Sequence, residues 1–86
     1  MSAYAFGAAE ERELFVRHAE LDGRSIARLR VMERDDSCVV EAEVFPRDAP
    51  PTHPGPFGFA DVGQATAFVT EAMESLLYLG CEVRAQ

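Results

Sequence analysis

The stretch that decides the fold is residues 24–45, which read RSIARLRVMERDDSCVVEAEVF. Apolar and charged residues alternate on both sides of Asp35-Asp36, with the period of two typical of half-buried β-strands. A turn at Asp35-Asp36 places the following pairs opposite each other: Ala27–Val44, Leu29–Ala42, Val31–Val40, Arg28–Glu43 and Arg30–Glu41. Because a slip of one residue would put every side chain on the wrong face, the sequence predicts this hairpin and its register.

A second hairpin is predicted immediately before the first. Residues 14–21 end at Asp22-Gly23, a turn signal because glycine tolerates the positive φ of a type I′ turn. This closure predicts an inner face with Leu14, Val16 and His18 and an outer face with Phe15, Arg17 and Ala19. It also sets Arg17 beside Arg28, a conflict between like charges. A helix over residues 8–21 is the competing interpretation, but its apolar side chains would scatter around the axis.

A proline-rich loop and a helix follow the hairpins. Residues 46–58 contain all five prolines, which lack a ladder donor and therefore predict a semi-rigid loop. Asp61 and Gln64 have the spacing of a capping box, apolar residues then cluster on one side of the helical wheel, and Gly80 is placed to end the helix. Residues 81–85 could form a short last strand.

The fold class predicted from this order is α+β. It consists of a three-stranded antiparallel meander, a proline-rich loop and one C-terminal amphipathic helix packed on one sheet face, with or without a short last strand (βββα or βββαβ). Eighty-six residues are enough for one core, so we expect one domain over residues 13–86 after a flexible or short helical arm at 1–12.

Composition indicates where the protein acts. All eight basic residues are arginine, which favours a bacterial genome rich in G and C. The N-terminus lacks the basic and apolar regions of a signal peptide and no apolar run is long enough to span a membrane, so we expect a cytoplasmic location. The net charge of −7 makes nucleic acid an unfavourable partner.

No catalytic, metal-binding or cofactor-binding motif stands out. The residues that could form a soft metal site or a Cys–His nucleophile lack the required spacing: His18, His53, Cys38 and Cys81. We therefore expect no catalytic residue, no metal and no cofactor, and name His53 as the one loop candidate because loops carry function more often than cores do.

The outer face of the predicted meander is the expected interaction surface. Aromatic residues, methionine and arginine are enriched at protein interfaces, which favours a homodimer or a protein partner over a bare solvated face. The predicted interface residues are Phe15, Arg17, Ile26, Arg28, Arg30, Met32, Val39, Glu41, Glu43 and Phe45.

Two classes of function stay open at this point, and an enzyme that uses the loop around His53 is a third, for which no substrate can be named. The first is a non-enzymatic module that dimerises through its sheet and binds another protein. The second follows from a resemblance: the order βββ–loop–α over residues 26–79, with FADVGQA at 59–65, resembles the degenerate double-stranded-RNA-binding-like fold of HicB-type antitoxins. That resemblance implies a nucleic-acid-associated regulator, although the long proline-rich loop and the missing DNA-binding segment depart from the family's pattern.

Overall fold

The protein is an antiparallel sheet with one helix on it, seen in a computed structural model that describes residues 11–86. In chain order the elements are β1 Glu11–Leu21, β2 Arg24–Arg34, β3 Ser37–Val44, β4 Phe57–Phe59, α1 Val62–Tyr78 and β5 Glu82–Ala85. The strands form one five-stranded sheet in the order β4-β3-β2-β1-β5. The α+β class is confirmed, with more strands than predicted. Residues 1–10 of the predicted arm lie outside the described residues, and its last two residues belong to β1.

The hairpin of β2 and β3 has the predicted register. Val31 lies opposite Val40 and Arg30 opposite Glu41. The side that faces α1 is apolar, and Val31 and Val40 are fully buried there. The other side, which we call the outer face, carries the arginines and glutamates of the two strands. The alternation of side chains therefore separates a core side from a charged side, as the sequence predicts.

The hairpin of β1 and β2 departs from its predicted register. The Asp22-Gly23 turn forms, with φ of 53° and 79° at its two residues. Past the turn a β-bulge inserts Ile26 as an extra residue on β2, so that Ala19 lies opposite Ala27. Because side chains alternate with a period of two, this one-residue shift exchanges the two faces along the middle of β1.

The predicted faces of β1 are therefore wrong for most of its residues. Ala19 is fully buried in the core and Phe15 packs against the core, on the side of α1. Val16 and His18 lie on the outer face, where His18 is opposite Arg28 and its Nε2 is 2.9 Å from the Ser25 hydroxyl. Leu14, at a second bulge between Glu13 and Phe15, still packs against the core.

Helix α1 begins and ends at the predicted residues. The Gln64 N–H donates to Asp61 Oδ1 at 2.9 Å, and the Gln64 side chain accepts from the Ala60 N–H at 3.1 Å, which caps the first turn. At the other end Gly80 has a φ of 100°, and its N–H donates to the Leu77 carbonyl at 2.9 Å. The N–H of Cys81 donates to the Leu76 carbonyl at 3.0 Å, which completes a Schellman motif.

The core lies between α1 and the sheet. Ala65, Val69 and Met73 of the helix are buried against the apolar side of β2 and β3. Phe68 extends this contact to β4, with its ring centroid 5.0 Å from Phe57 and 5.2 Å from Phe59. Across residues 11–86, no helix has both the length and the apolar character needed to cross a membrane.

Residues 45–56 connect β3 to β4 and turn back along the sheet. Val44 and Thr52 form a single antiparallel bridge, with both backbone hydrogen bonds at 2.9 Å. This bridge fixes the position of the next residue, His53, beside the outer face.

Candidate interaction surfaces

The outer face is organised around arginine–glutamate pairs. Arg30 donates to Glu41 at 2.5 Å and to Glu13 at 3.4 Å, so one guanidinium joins three strands. Arg28 lies 4.0 Å from Glu43 and donates to the side chain of Gln86 at 3.4 Å. Two of these contacts, Arg30–Glu41 and Arg28–Glu43, join residues directly opposite each other in the β-ladder, which places their side chains together.

Arg30 is the electrostatic centre of the outer face. The hydrogen bond that Glu41 accepts raises the pKa of the Arg30 guanidinium, against an opposing effect of desolvation. The negative charges of Glu41, Glu13 and Glu11 raise this pKa further. The guanidinium is thus bound to carboxylates of its own chain.

His53, the loop candidate, is brought onto the outer face by the Val44–Thr52 bridge. Its Nε2 lies 3.2 Å from Glu43 Oε2, and 69% of its side chain is exposed. It borders a shallow groove of about 300 Å³ whose other lining residues are Glu41, Ala42, Pro54 and Pro56. The structure therefore brings His53 together with the predicted interface residues Glu41 and Glu43.

The apolar residues predicted on the outer face are not exposed there. Met32 and Val39 are 7% and 8% exposed. Ile26, at the bulge, packs against the core on the other side of the sheet. Phe45 is half-buried at the end of β3, and its N–H donates to the Ile26 carbonyl at 2.9 Å. The outer face consequently presents ion pairs rather than apolar side chains.

Phe15 and Arg17 lie on the opposite side of the sheet, so their predicted place on the outer face is wrong. The bulge at Ile26 on β2 turns both side chains toward α1. The Arg17 guanidinium is 4.7 Å from the centroid of the Phe15 ring, a cation–π contact, and it donates to the Val16 carbonyl at 3.0 Å. The ten predicted interface residues are thus divided between two surfaces.

The second surface is a groove between α1 and strands β1 and β5, which we call the helix groove. It has a volume of about 230 Å³, and its residues are Phe15, Arg17, Thr66, Val69, Thr70, Met73, Glu74, Leu77 and Val83. The walls are mainly apolar, and Arg17 and Glu74 are its two charged residues. Neither forms a salt bridge within the described part of the chain, residues 11–86.

An exposed apolar segment adjoins the helix groove at the C-terminal end of α1. Leu77, Tyr78 and Leu79 are 52%, 94% and 73% exposed, and we call these three residues the apolar tip. The helical wheel places Leu79 with the core residues, but α1 ends at Tyr78 and Leu79 is its C-cap, beyond the reach of the sheet. The pattern of apolar residues along the chain therefore does not reveal this surface.

No known protein family, curated protein or solved structure matches this chain. Function must therefore be inferred from the geometry of the outer face, the helix groove and the apolar tip.

The cysteines and histidines are not assembled into a site within residues 11–86, where no three metal-binding side chains cluster. Cys38 and Cys81 are buried free thiols. Burial raises the pKa of the Cys38 thiol, and the charges of Glu33 and Asp61 raise it further, which favours the unreactive thiol over the thiolate. His18 is held by Ser25 and lies 3.5 Å from Glu20.

Proposed function

We propose that this chain is a small, non-enzymatic protein-interaction module of the bacterial cytoplasm that acts as a homodimer. The observation that carries the proposal is the exposure of the apolar tip. Each of its three consecutive residues is at least 52% exposed. Contiguous exposed apolar residues are typical of interaction sites. A domain of this size also buries a smaller fraction of its surface on folding than a larger domain does, so association adds to its stability.

The helix side of the sheet is the better candidate interface than the outer face. The outer-face arginines are already bonded to glutamates of the same chain, as in Arg30–Glu41 at 2.5 Å. Covering such pairs removes them from water without supplying new partners, which costs free energy. The helix groove and apolar tip offer apolar area instead, which association stabilises.

In this proposal the meander and the proline-rich loop support the two surfaces. Strands β1 to β3 would act as a three-stranded meander that carries both surfaces. The proline-rich segment 46–58 would hold His53 against Glu43, at the 3.2 Å separation of the two side chains. The loop would thereby cover part of the outer face and leave the helix side free.

The test is the mass of the protein in solution, measured by light scattering at tens of micromolar. We expect a mass twice that of one chain for the unchanged protein. Tyr78→Ser should weaken the dimer, because Tyr78 is 94% exposed and its substitution removes apolar area without disturbing the core. His53→Ser is the matched control on the outer face, since His53 is also exposed and should leave the mass unchanged.

Either of two results would contradict the proposal. A single-chain mass at tens of micromolar would show that the unchanged protein does not form a homodimer. A dimer weakened by His53→Ser and unaffected by Tyr78→Ser would move the interface to the outer face.

The antitoxin-like or other nucleic-acid-associated regulator is the weaker proposal. Within residues 11–86, five of the eight arginines form salt bridges with glutamates, namely Arg12, Arg28, Arg30, Arg34 and Arg84. Phosphate binding would have to displace those carboxylates, and the chain as a whole has a net charge of −7. RNA or DNA binding that weakens steeply with salt would reverse this ranking.

A further inference from the structure

Arg17 has an environment unlike that of the paired arginines. Its guanidinium contacts the Phe15 ring and one backbone carbonyl, and no carboxylate lies within salt-bridge distance of it among residues 11–86. The side chain is half-buried in a mainly apolar groove. A charge with partly restricted access to water is stabilised by an opposite charge brought to it.

Glu74 supplies that opposite charge on the same surface. It lines the helix groove from the α1 side, while Arg17 lines it from β1. Glu74 is exposed and also borders the neighbouring surface at Tyr78 and Leu79. One surface therefore contains a cation, an anion and the apolar side chains of Leu77 and Tyr78.

Such a patch is complementary to itself. In an interface with two-fold symmetry, residue i of one copy meets residue j of the other, and residue j meets residue i. An axis through the helix groove would bring each Arg17 to the partner's Glu74 and would bury the apolar side chains in the middle. Charges that are separated within one copy would then be paired between copies.

We propose that two copies of this chain pack groove to groove, with Arg17 of each copy bonded to Glu74 of the other and with Leu77 and Tyr78 buried between them. This inference rests on the proposed homodimer and specifies its interface. The apolar centre supplies the affinity, and the two Arg17–Glu74 pairs fix the orientation, since charged pairs at interfaces contribute mainly to specificity.

Charge reversal tests the pairing between copies. In Arg17→Glu, the new glutamate at position 17 of each copy would face Glu74 of the other copy. In Glu74→Arg, the new arginine at position 74 would face Arg17 of the other copy. Each variant alone should dimerise at least about tenfold more weakly than the unchanged protein, because like charges placed together at an interface are strongly unfavourable. Mixed in equal amounts, the two variants should form heterodimers, because every reversed charge then meets an opposite one.

Matched controls come from the exposed residues 47 and 48. Arg47→Glu and Asp48→Arg involve the same kinds of charge reversal, and both residues lie in the loop between β3 and β4. They should leave dimerisation of each variant unchanged within about twofold, since isolated surface substitutions have small effects. Circular dichroism and urea unfolding check that the variants fold. If Arg17→Glu does not fold, the exposed Glu74→Arg decides, and an undiminished dimer would overturn the interface.

The outcomes separate this interface from the homodimer itself. A single-chain mass for the unchanged protein would contradict both proposals. A stable dimer that neither reversal weakens would overturn the groove interface and leave the homodimer standing. Two monomeric variants that stay monomeric when mixed would overturn the Arg17–Glu74 pairing.

Discussion

The two sides of the sheet use their charges differently. On the outer face Arg30 is bonded to Glu41 and Glu13 of the same chain. In the helix groove Arg17 and Glu74 line one cavity, yet neither forms a salt bridge within the described chain. Charges held in a β-ladder contribute to the fold, whereas charges left beside exposed apolar residues are free to contribute to association.

The comparison depends on which side of the sheet the residues of β1 occupy. Ala19→Asp should have the largest effect on stability. Ala19 is fully buried on the helix side, and the aspartate would bring an unpaired charge into the core. We expect a loss of roughly 3–5 kcal/mol in the free energy of unfolding, measured in urea. On the predicted register Ala19 would face outward and the same change would be mild.

Ala49→Asp is the control for this substitution, since Ala49 is exposed in the loop after β3. It should change the free energy of unfolding by no more than about 0.5 kcal/mol. Equal effects of the two substitutions would contradict the observed register of β1.

The difference between the two hairpins explains how much of the fold the sequence can predict. From the turn at Asp35-Asp36 to the end of β3, the pairing of β2 with β3 continues without a bulge. One register therefore satisfies both the apolar and the charged pairs. In the first hairpin the turn at Asp22-Gly23 is predicted correctly, but Ile26 is an extra residue that no turn signal reveals. The one sign in the sequence against the predicted register is that it places Arg17 beside Arg28. The bulge removes this contact between like charges by turning Arg17 to the other face.

Smaller effects are expected from substitutions of the two arginines, Arg30 on the outer face and Arg17 in the helix groove. Arg30→Met removes the contacts to Glu41 and Glu13 and should lower the free energy of unfolding by about 1 kcal/mol. Arg17→Met loses the contact with the Phe15 ring and the hydrogen bond to the Val16 carbonyl, and should cost about 0.5 kcal/mol. Urea unfolding, at a dilution at which light scattering gives the mass of a single chain, measures both.

The stability losses caused by Arg30→Met and Arg17→Met should also differ in their dependence on salt. The loss caused by Arg30→Met should shrink at high salt, because partly exposed ion pairs are screened. The loss caused by Arg17→Met should change little, since Arg17 forms no ion pair with another of the described residues, 11–86. If both losses depended on salt equally, Arg17 would have a carboxylate partner within its own chain.

The smallest effect concerns Cys38, on the core side of β3. Its pKa is raised by burial first and then by Glu33 and Asp61, so the folded state favours the neutral thiol more than the unfolded state does. This contribution to stability is present below the unfolded thiol pKa of about 8.5 and is lost as the pH rises through the folded pKa. Wild type should therefore lose more stability at alkaline pH than Cys38→Ala. Parallel losses in the two proteins would contradict the raised pKa.

The candidate surfaces were harder to predict than the fold. The helix groove depends on the bulge at Ile26, which brings Phe15 and Arg17 to α1. The apolar tip depends on the helix ending at Tyr78, which leaves Leu79 without a sheet to pack on. The contact of His53 with Glu43 depends on the path of the loop, and in particular on the Val44–Thr52 bridge. Each position follows from three-dimensional contacts that local sequence patterns do not specify.

The most direct test of the central claim is to follow amide and methyl NMR signals while the protein is diluted from the concentration at which we propose a dimer to one at which light scattering gives the mass of a single chain. Signals of the helix groove and apolar tip should move, namely those of Phe15, Arg17, Thr70, Glu74, Leu77, Tyr78 and Val83. Signals of Arg28, Arg30, Glu41, Glu43 and His53 on the outer face should stay in place. Shifts confined to the outer face, with the groove signals unchanged, would contradict the account.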